Sequence, residues 1–248
     1  MQTKWLRGTG PDERGRGVLE TLRWHGGPPP AWDHHQARWR RGLAAIGAQA
    51  VALDALLHES LSVFPADRVW RIRLLAYPNG AIELAWRTLT DDEQNPRPWS
   101  LQVMGLVADR PAHLADCKTT DLQTTQKWRT QAQAQGADEA LLRGPENQWA
   151  EATTANLICG LMDGRIVTPW SGSLALPGTT LACLAQHLPV ETTQLSDMLL
   201  PQVRWAVLTN AIQLVRAVSA IDGRTLSPPP AEILALRDRL MRTPMLRD

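Results

Sequence analysis

Asp116-Cys117-Lys118-Thr119-Thr120-Asp121 contains one of only three lysines in a chain of 248 residues that holds 26 basic side chains. The rest are arginines, which keep their proton at working pH, so Lys4, Lys118 and Lys127 are the only candidates for an amine nucleophile. Lys4 lies near the chain start and Lys127 on the polar side of a predicted helix, positions that predict solvated side chains. Lys118 instead follows a lapse in pattern at 108–116, broken by Pro111, where the chain is predicted to pass between two units. Ligand sites favour such seams.

Composition narrows the class of protein. With 25 acidic residues against 26 basic, a net charge of +1 and 44% hydrophobic residues, the chain is globular and nearly neutral. That excludes a disordered tract or a collagen, and it leaves no broad positive field for a nucleic acid. Nothing approaches the roughly 18 successive apolar residues of a membrane span, and Met1-Gln2-Thr3-Lys4-Trp5 lacks the apolar core of a leader. A cytoplasmic protein without membrane or nucleic-acid partners is expected. Cys117, Cys159 and Cys183 are odd in number and widely spaced, so reduced thiols are expected rather than disulfides or a metal site.

Outward from Lys118 the pattern is mixed. Toward the start, a strand is predicted over 18–24, a loop at Gly26-Gly27-Pro28-Pro29-Pro30, helices over 32–50 (Asp33 as N-cap) and 52–61, and a hairpin of 69–75 with 81–89 about Pro78-Asn79-Gly80. A strand over 99–107 completes a smaller N-terminal domain, 1–107, and 108–116 is the expected linker. The larger domain, 117–248, is predicted to hold a helix over 122–135 and extended segments over 139–143 and 150–159. A hairpin follows at Met162-Asp163-Gly164-Arg165, then a helix after Leu176-Pro177-Gly178, one long strand over 205–220 and a last helix over 231–241. Hairpins mixed with helices give an α+β architecture.

Three further features bear on chemistry. Glu151 stands among small residues beside an apolar run, where burial demands a cation. Leu176-Pro177-Gly178-Thr179-Thr180 opens a helix with a glycine and two hydroxyls, groups suited to an anion. Arg38 lies on the first long helix. A Schiff-base lysine, an acid to hold a pyridinium proton, and a helix start with an arginine for a phosphate are what pyridoxal phosphate requires of its host.

The order of these pieces resembles the fold-type IV pyridoxal-phosphate enzymes, the aminotransferase class IV family, from about residue 14 to 223. Gly17-Val18-Leu19-Glu20-Thr21-Leu22-Arg23, His35-Gln36-Ala37-Arg38-Trp39, Lys118-Thr119-Thr120, Glu151-Ala152-Thr153-Thr154-Ala155-Asn156-Leu157, Thr168-Pro169, Leu176-Pro177-Gly178-Thr179-Thr180 and Thr209-Asn210-Ala211 are each similar to a family motif, in family order. The resemblance implies a smaller N-terminal α/β domain, a larger C-terminal domain with a β-barrel-like core, a homodimer and a small-molecule substrate. It implies pyridoxal 5'-phosphate bound to Lys118 as a Schiff base, with Glu151 at the ring nitrogen and Arg38, Asn156, Thr179 and Thr180 around the cofactor. Asn210 and Ala211 fall near the substrate.

Where the family has Tyr-Gly-Asp-Gly, this chain has Arg14-Gly15-Arg16-Gly17, so Arg14 and Arg16 are candidates to meet a carboxylate of a dianionic substrate. Asp121, Leu122 and Leu181 also depart from the family pattern. Thr21, Asn210-Ala211 and the short C-terminal region are similar to the aminodeoxychorismate lyases of the family. In those enzymes the residue matching Thr21 is assigned to proton transfer. The implied reaction is 4-amino-4-deoxychorismate to 4-aminobenzoate and pyruvate, a step toward folate. The alternatives are a class IV aminotransferase acting on branched-chain or D-amino acids, and a scaffold that binds the cofactor without turnover.

Overall fold

In Trp70-Arg71-Ile72-Arg73-Leu74 every second side chain is apolar, a period that buries one face of a strand and leaves the other to charge. The computed structural model, which describes residues 1–11, 16–60, 64–65, 67–107, 111–169 and 175–242, places this strand in a small antiparallel sheet. Its members are β1 (Gln2–Arg7), β2 (Val18–Trp24), β3 (Trp70–Ala76) and β4 (Ile82–Thr88), ordered β1-β4-β3-β2. Helices α1 (Trp32–Ala45) and α2 (Leu53–His58) cover one face, where Trp39, Leu43 and Leu56 pack on Val18, Leu22, Ile72 and Leu84. β1 is an edge strand that the sequence pattern does not predict. α1 ends before residue 50 because Gly47 takes a φ of 66°, and its N-cap is Ala31, with Asp33 inside the first turn.

Sheet membership changes earlier than the predicted boundary. After β4, Thr90 opens the short α3 (Asp91–Gln94) in a capping box: the Thr90 hydroxyl accepts from the Glu93 N–H (3.3 Å), and the Glu93 carboxylate accepts from the Thr90 N–H (3.0 Å). The next strand, β5 (Trp99–Leu106), was expected in the first domain but pairs in parallel with two strands of the larger sheet. The chain then returns. Leu114 and Cys117 pack in the core of the small domain and Thr119 bridges Val18, so much of the expected linker is a second crossing.

The larger sheet is completed by β6 (Glu139–Arg143), β7 (Trp149–Ala152), β8 (Asn156–Leu161), β9 (Ile166–Pro169), β10 (Val190–Thr193), β11 (Val203–Asn210), β12 (Leu214–Ile221) and β13 (Arg224–Thr225). Its order is β10-β9-β8-β11-β12-β5-β6-β7, with β13 on β12. Ala152 at the end of β7 bridges Ala155 just before β8, so the sheet curls into a half-barrel around Leu101, Leu141, Trp149, Leu157, Cys159 and Val218. Helix α4 (Gln123–Ala134) links the parallel β5 and β6, while α5 (Thr179–Leu184) and α6 (Ala231–Arg242) cover Trp205, Val207 and Val215 from outside. Among the described residues no helix is long and apolar enough to cross a membrane.

Two predicted segments divide. The stretch 150–159 is β7 and β8 with a turn at Thr153 and Thr154, and the single strand over 205–220 is the hairpin β11–β12. No glycine or proline marks that hairpin. Asn210 Oδ1 accepts from the backbone N–H groups of Ile212 and Gln213, both at 2.9 Å, and Leu214 takes a φ of 62°.

Arg216 on β12 pins the first crossing. Fully buried, it stacks over Trp99 at 3.8 Å and donates to the Asp92 carboxylate (2.6 Å) and to the carbonyls of Arg97 (2.8 Å) and Asp92 (3.1 Å). Arg216→Met strips charge-assisted bonds from these acceptors and is expected to cost about 2 kcal/mol or more, lowering Tm by roughly 4–8 °C in a thermal melt.

Candidate active site

β2 presents alternate side chains to opposite surfaces. Leu19 and Thr21 face a cavity between the two sheets, while Val18, Glu20 and Leu22 turn toward α1. Glu20 is therefore buried, 1% exposed, among apolar neighbours. It survives there as a carboxylate because Arg38 grips it with two donors, Nε to Oε1 (2.6 Å) and Nη2 to Oε2 (2.7 Å), while His35 Nδ1 donates to Oε2 (2.8 Å). Burial alone would raise its pKa, but Arg38 and then His35 outweigh burial and bring it to about 2. Burial holds His35 below its ordinary value against the pull of Glu20, which keeps the ring neutral. With its proton on Nδ1, the ring accepts at Nε2 from the Thr179 hydroxyl (3.2 Å). Arg38 Nη1 also contacts the Pro177 carbonyl at 3.4 Å. The chain of contacts runs from β2 through α1 to the turn that starts α5.

Lys118 is fixed by its backbone. Its carbonyl accepts from the Leu19 N–H (2.8 Å), Thr120 N–H donates to the Gly17 carbonyl (2.9 Å), and the Gly17 N–H donates to the Thr120 hydroxyl (3.0 Å). The lysine thus extends the edge of β2 and lines the cavity, of about 350 Å³, together with Thr21, Arg38 and Glu151. Burial and the nearby Arg38 lower its pKa to about 8, opposed by Glu151 and Glu20. A substantial neutral fraction exists near neutral pH, as an amine nucleophile requires.

On the opposite wall, Glu151 Oε2 accepts from the Leu176 N–H (2.9 Å), and Asn156 Nδ2 donates to the Leu176 carbonyl (2.8 Å). These two side chains of β7 and β8 hold the turn before α5. A Cβ at position 178 would lie 1.8 Å from Asn156 Oδ1, so a larger residue there has to displace the Asn156 side chain from its bond to Leu176. Two hydroxyls at this end, those of Thr180 and Thr209, are buried and have no hydrogen-bond partner among the described residues. Orphaned hydroxyls beside a cavity-facing arginine and a helix start suit a phosphate.

Of the other predicted residues, Thr21, Asn210 and Ala211 line the cavity, Asn210 also building the β11–β12 turn. Arg16 lies at the rim, paired with Asp121 at 3.2 Å. Arg14 lies outside the described residues. Several residues were not singled out from sequence: Glu20 and His35, which buttress Arg38 behind the cavity wall, and Thr209, Arg71, Arg73 and Glu93 on the lining, of which Glu20, His35 and Thr209 sit inside quoted motifs. The signal for Arg71 and Arg73 was the alternation of β3 itself.

A sequence-family model gives the family, and solved structures give the fold. The chain belongs to the amino-transferase class IV family, whose sequence model matches residues 17–221. The fold is similar to that of a fold IV transaminase from Curtobacterium pusillum (20% identity, 95% of this chain and 89% of that one, TM-score 0.77). It is similar to an aminotransferase from Brucella abortus bound to pyridoxal phosphate (19%, 91% and 87%, TM-score 0.77). A Legionella pneumophila protein provisionally ascribed 4-amino-4-deoxychorismate lyase activity also shares it (22%, 92% and 89%, TM-score 0.73). None of the curated proteins matches the sequence. Pyridoxal phosphate is the family's cofactor and this chain's, and the orphaned hydroxyls of Thr180 and Thr209, with Arg38 and Lys118, fit it.

Two outcomes are expected. The rate of loading the cofactor onto Lys118, followed by visible absorbance, should rise with pH through a midpoint near 8 and then level off, because only the neutral amine reacts. Glu151→Gln should move that midpoint down, since the carboxylate raises the lysine's pKa. Glu20→Gln leaves Arg38 buried without its counter-ion and should cost about 3–5 kcal/mol, lowering Tm by roughly 10 °C. The folded-state pKa of Glu20 is depressed, so its stabilising contribution is complete above about 4.5 and is lost as pH falls toward 2. The melting difference between wild type and variant should shrink over that window.

Proposed function

We propose that this chain is a pyridoxal-phosphate-dependent lyase that converts 4-amino-4-deoxychorismate to 4-aminobenzoate and pyruvate. The observation that carries this proposal is Thr21 on the wall of the cavity lined by Lys118, on the strand whose edge the lysine extends. A hydroxyl on the same cavity wall as the amine can handle a second proton.

When bound, the cofactor supplies an aldehyde that condenses with a primary amine and a ring that takes up the electron pair left on the adjoining carbon. Lys118 would be the amine that holds it, Arg38, the Thr180 hydroxyl and the backbone N–H of Thr179 would take its phosphate, Asn156 would fix the turn on which those threonines stand, and Glu151 would keep a proton on the ring nitrogen. Once the substrate amine replaces it, Lys118 Nζ removes the proton from the amine-bearing carbon. The carbon–oxygen bond to the three-carbon side chain then breaks and the six-membered ring becomes aromatic. Thr21 Oγ1 passes a proton to the methylene of the departing fragment, which leaves as pyruvate. One proton is lost and one gained, and no water, oxidant or keto acid is consumed. Arg16 at the rim, with Asn210 and Ala211, borders the substrate.

Transamination is the second reading, favoured by the transaminases that share the fold. It uses the same lysine but needs a keto acid to complete a cycle. The two separate in one assay. The loaded protein incubated with 4-amino-4-deoxychorismate and no keto acid should release pyruvate and 4-aminobenzoate in equal amounts, Lys118→Ala should abolish release, and Thr21→Val should lower kcat by about 10²-fold with little change in KM. Amino transfer that proceeds only when 2-oxoglutarate is supplied would sink the lyase proposal.

A further inference from the structure

Cationic side chains outnumber acidic ones on the lining of the cavity. Six cationic side chains line it, Arg16, Arg38, Arg71, Arg73, Lys118 and Arg129, against three acidic ones, Glu93, Asp121 and Glu151. Arg38 is matched by Glu20, and Arg16 by Asp121. Arg129 stands 3.7 Å from Glu139. Arg71 and Arg73 remain, on the cavity face of β3, with Arg73 directly across the strand pair from Thr21 and in the field of Glu83 on β4.

Neither guanidinium is well satisfied. Arg73 makes no hydrogen bond among the described residues, and its Nε is buried without a partner. The Nε of Arg71 is likewise buried and unpartnered. Its one anionic contact is long, 3.4 Å from Nη1 to Glu93 Oε1, and Glu93 is already gripped by Arg87 through two bonds of 2.6 Å and by the Thr90 N–H. Arg71 is therefore a spare partner of an acid that has no need of it. Successive residues on one face of a strand stand about 7 Å apart, so these two forks can each address a separate carboxylate of one small molecule.

We propose that Arg71 is a specificity-determining residue that binds the second carboxylate of a dicarboxylic amine, so that the site selects dianionic over monoanionic substrates. This deepens the lyase proposal and rests on it for the choice of an amine substrate. Arg71 acts by bidentate pairing with a second carboxylate, which a monocarboxylate lacks once its single one is held by the neighbouring Arg73, and Glu93 yields Arg71 because Arg87 keeps that acid neutralised.

The test uses the cofactor-loaded full chain and two non-reacting acids, glutarate and butanoate, with Kd read by calorimetric titration. The unsubstituted protein should bind glutarate at least about tenfold more tightly than butanoate. Arg71→Gln should narrow that ratio to within about threefold while leaving butanoate within about twofold of wild type. Arg71→Lys keeps the charge but loses the fork, and should fall between the two. It decides the matter if the glutamine variant fails to fold: a narrowed ratio supports the proposal and an unchanged ratio overturns it. Absence of any preference in the unsubstituted protein, or an undiminished preference in Arg71→Gln, also overturns it. Neither acid reacts, so the outcome is independent of product release. A protein that keeps an Arg71-dependent preference yet releases no pyruvate would defeat the lyase proposal alone, and one that releases pyruvate with no such preference would defeat this one alone.

Discussion

The carboxylate of Glu20 is the constraint on which the site depends. It is surrounded by the apolar core between β2 and α1, where an unpaired charge would not persist. Its presence obliges Arg38 and His35 to turn inward from α1, and that fixes where the remaining Arg38 donor and the His35 Nε2 point. Both reach the Pro177–Thr179 turn of the other domain. One buried anion thus sets the position of an arginine, the tautomer of a histidine and the orientation of a threonine hydroxyl, all before any ligand is considered. The carboxyl's low pKa arises because Arg38 and His35 outweigh burial, whereas the histidine's lies below its ordinary value because burial outweighs the pull of Glu20.

The lysine is held in a different way. Its amine is subject to the field of the cavity, but its backbone belongs to the edge of β2, and Glu151 faces it from β7 of the large sheet. Arg23 ties the same strand to the hairpin across the cavity by donating to the Ile212 carbonyl at 2.8 Å. The reactive residue is therefore positioned by backbone contacts at β2, and Glu151 by the turn at Leu176, rather than by side-chain packing around the amine. That leaves the amine itself with the freedom that a residue exchanging one partner for another requires.

Much of this was legible in the sequence where chemistry restricts the residue type. Lys118, Glu151, Arg38 and the Thr179-Thr180 helix start were singled out because few other side chains serve such tasks, and the structure brings them around one cavity, while the hairpin of β3 and β4 was found because Pro78-Asn79-Gly80 marks its turn. Other features left no local mark. The β11–β12 turn uses an asparagine side chain and a left-handed leucine, with no glycine or proline, inside an unbroken apolar run. Strand β5 was grouped with the first domain from sequence, yet it joins the large sheet, because its parallel partners, β6 and β12, are set by pairing across long separations that periodicity does not encode. Glu20 escaped notice as a site residue because its paired cations lie 15 and 18 positions away.

The path of the chain between the sheets has a consequence for recombination with relatives. Because 112–120 returns to the small sheet after β5 has joined the large one, the two halves interlace and no single cut separates them. A chimera spliced once, at 89–98 or at 108–116, would import one partner of the Leu19–Lys118 backbone contact without the other, or part β5 from its neighbours. A graft of the small half has to carry 111–121 with it as a second, detached insert.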